Sequence, residues 1–238
     1  MEHVVETAVA EAGGLKTAGF PALMIENFGD TPFYADSVPP ETIAGITVAV
    51  AAVVEETNLT VGVNVLRNDV LAALGVAAAT GASFVRANVL TGVMYTDQGP
   101  IVGKAAEVLR KRKDMVSDVE IWADVMVKHA VAPFGVDVRQ SAADTVERGL
   151  ADAVIISGSG TGAEPDIHEA TIVRSAVPKD TRVVIGSGAS VDNLAKLMDV
   201  ADTVIVGSAI KVDADANNRI DPGRAAHFVE VAAEHGLT

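Results

Sequence analysis

Three apolar segments of this chain each carry polar residues close to where the segment stops. Asn64 sits in VGVNV, Arg86 and Asn88 in FVRANV, and Asp124 in IWADV. A buried polar group without a partner costs about 1–3 kcal/mol, so residues placed this way should face one another or line a polar pocket. Glu26 and Asn27 close a fourth apolar run, and Arg67, Asn68, Lys128 and His129 lie just beyond such runs. The chemistry these types offer is specific. Glu26 or Asp124 would serve as a general base. Asn64 and Asn88 would hydrogen-bond substrate hydroxyls or an enolate oxygen. Lys128 would form a Schiff base or act as an electrophile beside His129. Arg67 would hold a second anionic group. The competing reading is a hydrogen-bond network that only ties the ends of the strands together.

A second constellation lies near the C-terminus. Two β-branched runs, at 181–185 and 203–206, each stop at a small turn, Gly186-Ser187-Gly188 and Gly207-Ser208. N–H groups in such turns form a cup for an anion. The last two strands of a (β/α)₈ barrel commonly build a phosphate site in this way. Glycines also simply permit tight strand-to-helix turns. The stretch 156–162 (ISGSGTG) is glycine-rich after a strand, and Ser157 and Gly158 would give a third wall of the phosphate pocket or a mobile lid. It matches neither a Walker A loop nor a Rossmann fingerprint.

The elements that must position these residues follow from periodicity. Strands are expected at 21–26, 60–65, 83–89, 119–125, 152–157, 181–185 and 203–206. Helices are expected before the first strand and after each of the seven. Residues 91–99 read as a long loop, and a basic helix is expected at about 100–115. The order α(βα)₇ calls for a parallel sheet with right-handed crossovers in a single domain. It reads as a (β/α)₈ TIM-type barrel with its first strand missing, as if the chain starts late, leaving a seam between the 21–26 and 203–206 strands. Two exposed edges would favour a homo-oligomer.

Composition narrows the function classes. The chain has 238 residues, no cysteine and a formal charge of −14. Cysteine ligation and thiolate catalysis are excluded. A nucleic-acid partner would want a basic stripe, which this charge opposes. The start is acidic rather than a basic signal region, and the longest apolar run, at 43–54, is too short to span a bilayer comfortably. A cytoplasmic setting with no membrane partner is expected. A metal-dependent hydrolase using Asp124, His129 and Glu26 lacks the paired histidines that would support it, so no metal and no organic cofactor are expected.

The stretches IENFGD (25–30), VPPET (38–42), VGVNVLRND (61–69), VRANVLTG (85–92), TDQG (96–99), GKAAE (103–107), ADVMVKHA (123–130), GLADAVIISGSGTG (149–162) and VIGSG (184–188) resemble the BtpA/SgcQ family of TIM-barrel proteins. The resemblance runs from about residue 3 to about 235. It implies the barrel and an additional first strand upstream. It carries no defined reaction, since the family takes its name from a photosystem I biogenesis factor while other members accompany sugar-utilisation genes. Two functions are therefore expected as rivals. One is an enzyme with lyase- or isomerase-like proton abstraction on a small phosphorylated metabolite, a sugar phosphate or nucleotide-derived compound. The other is a non-catalytic assembly or stability factor.

Overall fold

The structure, a computed structural model, describes residues 1–115, 117–158 and 160–236. Its strands are β1 (Ala22–Glu26), β2 (Thr60–Asn64), β3 (Phe84–Ala87), β4 (Val93–Thr96), β5 (Gly99–Val102), β6 (Glu120–Asp124), β7 (Ala130–Val131), β8 (Ala153–Ile156), β9 (Arg182–Ile185) and β10 (Thr203–Val204). Its helices are α1 (Glu2–Ala18), α2 (Pro40–Thr57), α3 (Val70–Thr80), α4 (Ala105–Asp114), α5 (Val138–Glu147), α6 (Ile167–Ala176), α7 (Leu194–Met198) and α8 (Pro222–Glu234).

Seven strands form one sheet in the order β1-β2-β3-β6-β8-β9-β10. The pairings β1–β2, β2–β3, β6–β8, β8–β9 and β9–β10 are parallel. Once β4, β5 and β7 are set aside, spatial order equals chain order. A doubly wound sheet reverses at a switch point, whereas a barrel sheet winds one way only. One helix follows each of the seven strands and α1 precedes them, which is the expected α(βα)₇ order.

The expected loop at 91–99 and helix at 100–115 need correction. Residues 93–102 fold back as an antiparallel hairpin, β4 with β5, and β4 also pairs with β7. The helix begins only at Ala105. Pro100 and the β-branched pair Ile101-Val102 suit extended backbone better than a helix.

The chain divides into two compact units. The first comprises Met1–Ala87 and Ala106–Ile121, the second Asn88–Ala105 and Trp122–Thr238. In the first unit, α1 packs on α2 and α2 on α3. Val50, Val53, Val61, Val63 and Leu74 are among its fully buried side chains. Asp69 caps α3 by accepting the Ala72 N–H at 3.0 Å, and its other oxygen takes the Val38 N–H at 2.9 Å. One carboxylate therefore starts a helix and fastens the loop that follows β1.

In the second unit the interior is built from Val154, Ile155, Ile156, Val183, Val184, Ile185, Leu194 and Leu197. Asp137, Asp166 and Asp221 cap α5, α6 and α8. Among the described residues, no helix is long and apolar enough to cross a membrane.

Candidate functional site

In the first unit, β1 and β2 end side by side, with Glu26 in register with Asn64. The Asn64 Nδ2 donates to Glu26 Oε1 at 2.8 Å. Arg86, buried on β3, brings its Nη1 to 3.9 Å from the same oxygen. The Oδ1 of Asn64 has no hydrogen-bond partner among the described residues. The neighbouring Asn27 accepts the Leu66 N–H at 2.7 Å. Arg67 is buried, and its backbone N–H donates to the Tyr34 carbonyl at 3.0 Å. The sequence placed Arg86 at a strand end without giving it a role. Its position in FVRANV was the signal, and Glu26 is the charge that the cation accompanies.

In the second unit the centre is Asp124, the last residue of β6, and it is buried. Asn88, which directly follows β3, donates from Nδ2 to Asp124 Oδ2 at 3.1 Å. Ser157, which directly follows β8, donates from Oγ to Asp124 Oδ1 at 3.1 Å. Each oxygen of the carboxylate thus receives a side-chain donor. Asn88 is 3 % exposed and its Oδ1 has no partner among the described residues. A buried acceptor left open in this way marks a place where a ligand or water donor belongs.

Lys128 lies half-buried in the loop after β6. The next residue, His129, is exposed and has a φ of 55°. Its Nε2 accepts the Thr161 backbone N–H at 3.1 Å and lies 3.0 Å from the Thr161 hydroxyl. Accepting an N–H at Nε2 puts the proton of the neutral ring on Nδ1. The histidine, expected only as the neighbour of a Schiff-base or electrophilic Lys128, thus holds the loop that follows β8.

That loop decides which glycines remain available to an anion. A Cβ on Gly158 would fall 2.2 Å from the Ala163 carbonyl oxygen, and one on Gly188 would fall 1.9 Å from the same atom. Both glycines are therefore small because one backbone segment crosses them. Over Gly188 that segment presents an acceptor, which an anion avoids. The Gly186 N–H is committed to the sheet, donating to the Ile156 carbonyl at 2.7 Å. The N–H groups of Ser187, Gly188, Gly207 and Ser208 have no protein acceptor among the described residues. The Ser187 side chain is 8 % exposed and its Oγ is also without a partner. The donors open to an anion are thus Ser187, Gly207 and Ser208. Ser159, in the same glycine-rich stretch, lies outside the described residues.

Two residues that sequence reasoning missed fix this turn. The Asn193 Nδ2 donates to the Gly188 carbonyl at 2.9 Å and to Glu164 Oε1 at 3.1 Å. The Asn193 Oδ1 accepts the Ser190 N–H at 2.9 Å. Nothing in the local sequence marks this pairing, because Glu164 and Asn193 are brought together only by the fold. Among the described residues, no group of three or more His, Asp or Glu side chains could hold a metal ion.

On α6, burial raises the Glu169 carboxyl above its ordinary value, and the Asp166 carboxylate adds to the rise. The folded state then holds this proton more tightly than the unfolded chain does. The stability contributed by the protonated form is complete below the unfolded glutamate pKa, about 4.3, and is lost as pH rises through the folded value. Glu169→Gln is therefore expected to unfold at a higher temperature than the parent at pH 7. The gap should close as pH falls below the ordinary glutamate range, as followed by thermal unfolding across pH.

Comparison with known proteins gives this geometry a family. The family model described as "BtpA family" matches residues 1–234. An uncharacterised protein of Methanocaldococcus jannaschii is 47 % identical over 233 residues, covering 97 % of this chain and 87 % of that protein. The photosystem I biogenesis protein BtpA of Synechocystis is 45 % identical over 232 residues, covering 97 % of this chain and 80 % of the relative. Among solved structures, orotidine 5'-phosphate decarboxylase from Pyrococcus horikoshii superposes with a TM-score of 0.61 at 18 % identity, covering 98 % of this chain and 95 % of that one. At that identity the likeness shows the fold alone, and it is the TIM-barrel type that the one-way strand order indicates. With the match running over nearly its whole length, the chain belongs to the BtpA family.

Proposed function

We propose that this protein binds a small phosphorylated metabolite at the strand ends of its second unit. The phosphate would rest on Ser187, Gly207 and Ser208, and the reacting end would meet Asp124, Asn88 and Ser157. The observation that carries this reading is the pair of buried, unpartnered atoms, Ser187 Oγ and Asn88 Oδ1. Both are polar atoms that a ligand would satisfy at no cost in protein hydrogen bonds. Further support comes from the shared fold, since the similar decarboxylase is named for a phosphorylated substrate. The finer form of the proposal is lyase- or isomerase-like chemistry, in which Asp124 takes a proton next to a carbonyl. Asn88 is then better suited to accept from a substrate hydroxyl than to stabilise an enolate oxygen, because its open atom is an acceptor. In the first unit, Asn64 Oδ1 is open to a ligand donor and Arg67 is the group for an anion. The expected cytoplasmic setting and the absence of a cofactor requirement belong to this proposal.

A second reading, a non-catalytic assembly or stability factor, has the closer relative behind it. The Synechocystis protein shares 45 % identity and is named for photosystem I biogenesis, whereas the structural likeness to an enzyme shows only the fold. The two readings part at the ligand. A thermal-shift screen of sugar phosphates and inorganic phosphate is expected to raise the unfolding temperature in a saturable way. A flat response to the whole panel would leave the assembly role as the better account.

A further inference from the structure

We infer that the outer face of the small antiparallel sheet, with the turn that carries Phe134, is the docking surface for a second copy of this chain. The sheet has the order β5-β4-β7. Its register sets Tyr95 opposite Pro100 on one side and Val131 on the other, and Val93 opposite Val102. Alternation along each strand puts these residues on one face and Met94 and Ile101 on the other. Met94 and Ile101 are buried. The opposite face is open, with Tyr95 54 %, Val102 59 % and Val131 69 % exposed. The solvated face of an antiparallel sheet is ordinarily polar, and here it is apolar throughout.

Three residues past Val131 the chain makes a turn in which the Val136 N–H donates to the Pro133 carbonyl at 3.2 Å. Gly135 takes the positive φ of 85° that this turn needs. Phe134, at the apex, is fully exposed at 108 %. The Tyr95 and Phe134 rings alone expose on the order of 300 Å². For comparison, the largest apolar patch of a typical monomer is about 300–600 Å². On the sheet face, Pro100, Val102 and Val131 add exposed apolar surface beside Tyr95, toward the roughly 800 Å² that each partner gives a stable interface.

Charge selects the occupant. The chain carries −14, yet Val93, Tyr95, Pro100, Val102, Val131 and Phe134 include no charged residue. A basic partner would be met by carboxylates, which this face lacks. An anionic membrane surface would repel so acidic a protein. Two identical acidic chains approach at least cost through a face without charge, and one self-complementary face is what a two-fold pair requires. Pro100 lies in the edge strand β5, where it lacks an N–H for edge-to-edge pairing, so association runs face to face.

The test is sedimentation velocity over about a hundredfold range of concentration. The parent is expected to dimerise, and the double variant Val131→Asp/Phe134→Asp to raise the dissociation constant at least about a hundredfold. At concentrations where the parent is also monomeric, its unfolding midpoint should match the parent's, because both sites are exposed. Val48→Asp, on the exposed side of α2, is expected to dimerise like the parent. A parent that stays monomeric, a double variant that dimerises as tightly as the parent, or an equal loss in Val48→Asp would each overturn the inference. So would a monomeric parent that co-floats with phosphatidylcholine vesicles, which would reassign the face to lipid. These outcomes are independent of whether phosphate binds.

Discussion

Asp124→Asn is expected to abolish the thermal response to phosphorylated ligands while lowering intrinsic stability by only about 1–3 kcal/mol. The carboxylate accepts from Asn88 on one oxygen and from Ser157 on the other. An amide of the same shape supplies one acceptor and one NH₂, so one donor faces another donor. The Ser157 hydroxyl is able to rotate and accept. The new amide therefore turns its oxygen to the Asn88 NH₂ and its own NH₂ to Ser157, so both contacts persist and the Asn88 Oδ1 stays open. The site thus keeps its shape and loses its charge and its proton acceptor. If the protein is a proton-abstracting enzyme, turnover should fall about 10²–10⁴-fold. If it is an assembly factor, the variant should support complex accumulation in its host nearly as well as the parent. Ligand-dependent unfolding and accumulation in the host, measured on the same variant, separate the two roles.

Gly188→Ala should be the most destabilising single methyl addition in the second unit, about 2–5 kcal/mol by urea unfolding. Two costs combine. The residue sits at a φ of 78°, where an L-residue loses about 1–2 kcal/mol. Its new carbon would also stand 1.9 Å from the Ala163 carbonyl, and overpacking of this kind costs about 1–3 kcal/mol. The obstacle is backbone, so no rotamer change relieves it. Gly207→Ala makes the contrast in packing, because a Cβ there meets nothing within 4 Å. Its loss should be about 1 kcal/mol or less. Equal losses at the two positions would mean that the 160–164 segment does not lie over Gly188.

The seven parallel strands were legible because each is an apolar β-branched run bounded by turn residues, and their observed limits differ from the expected ones by a residue or two. The hairpin was not legible. Val93-Met94-Tyr95-Thr96 and Gly99-Pro100-Ile101-Val102 put apolar residues on both faces, so the period-2 alternation that betrays a half-buried strand is missing. The Ile101-Val102 pair then read as the first turn of a helix. At the candidate site, polar residues inside apolar strands announced themselves, and Asn64 with Glu26 and Asn88 with Asp124 do meet. Their pairing was not readable from spacing, because register belongs to the sheet. Nor was the Asn193–Glu164 contact, since each residue alone looks like ordinary loop polarity. The glycines of the turns were seen, but the crossing backbone that occupies Gly158 and Gly188 is visible only once the chain has folded.

The strand that leads to Gly207 and Ser208 is also the shortest of the seven. β10 pairs with β9 over only two register positions, Thr203 with Val184 and Val204 with Ile185. Short ladders open locally at low free-energy cost. An anion gripped by the turn beyond this ladder would act as a clasp, adding its binding free energy to the part of the sheet with least of its own. Supply of the metabolite would then govern how long the segment from β10 onward stays closed, and with it the protein's exposure to proteolysis. In such a protein, occupancy and lifetime become one variable, which is a form of sensing that needs no turnover.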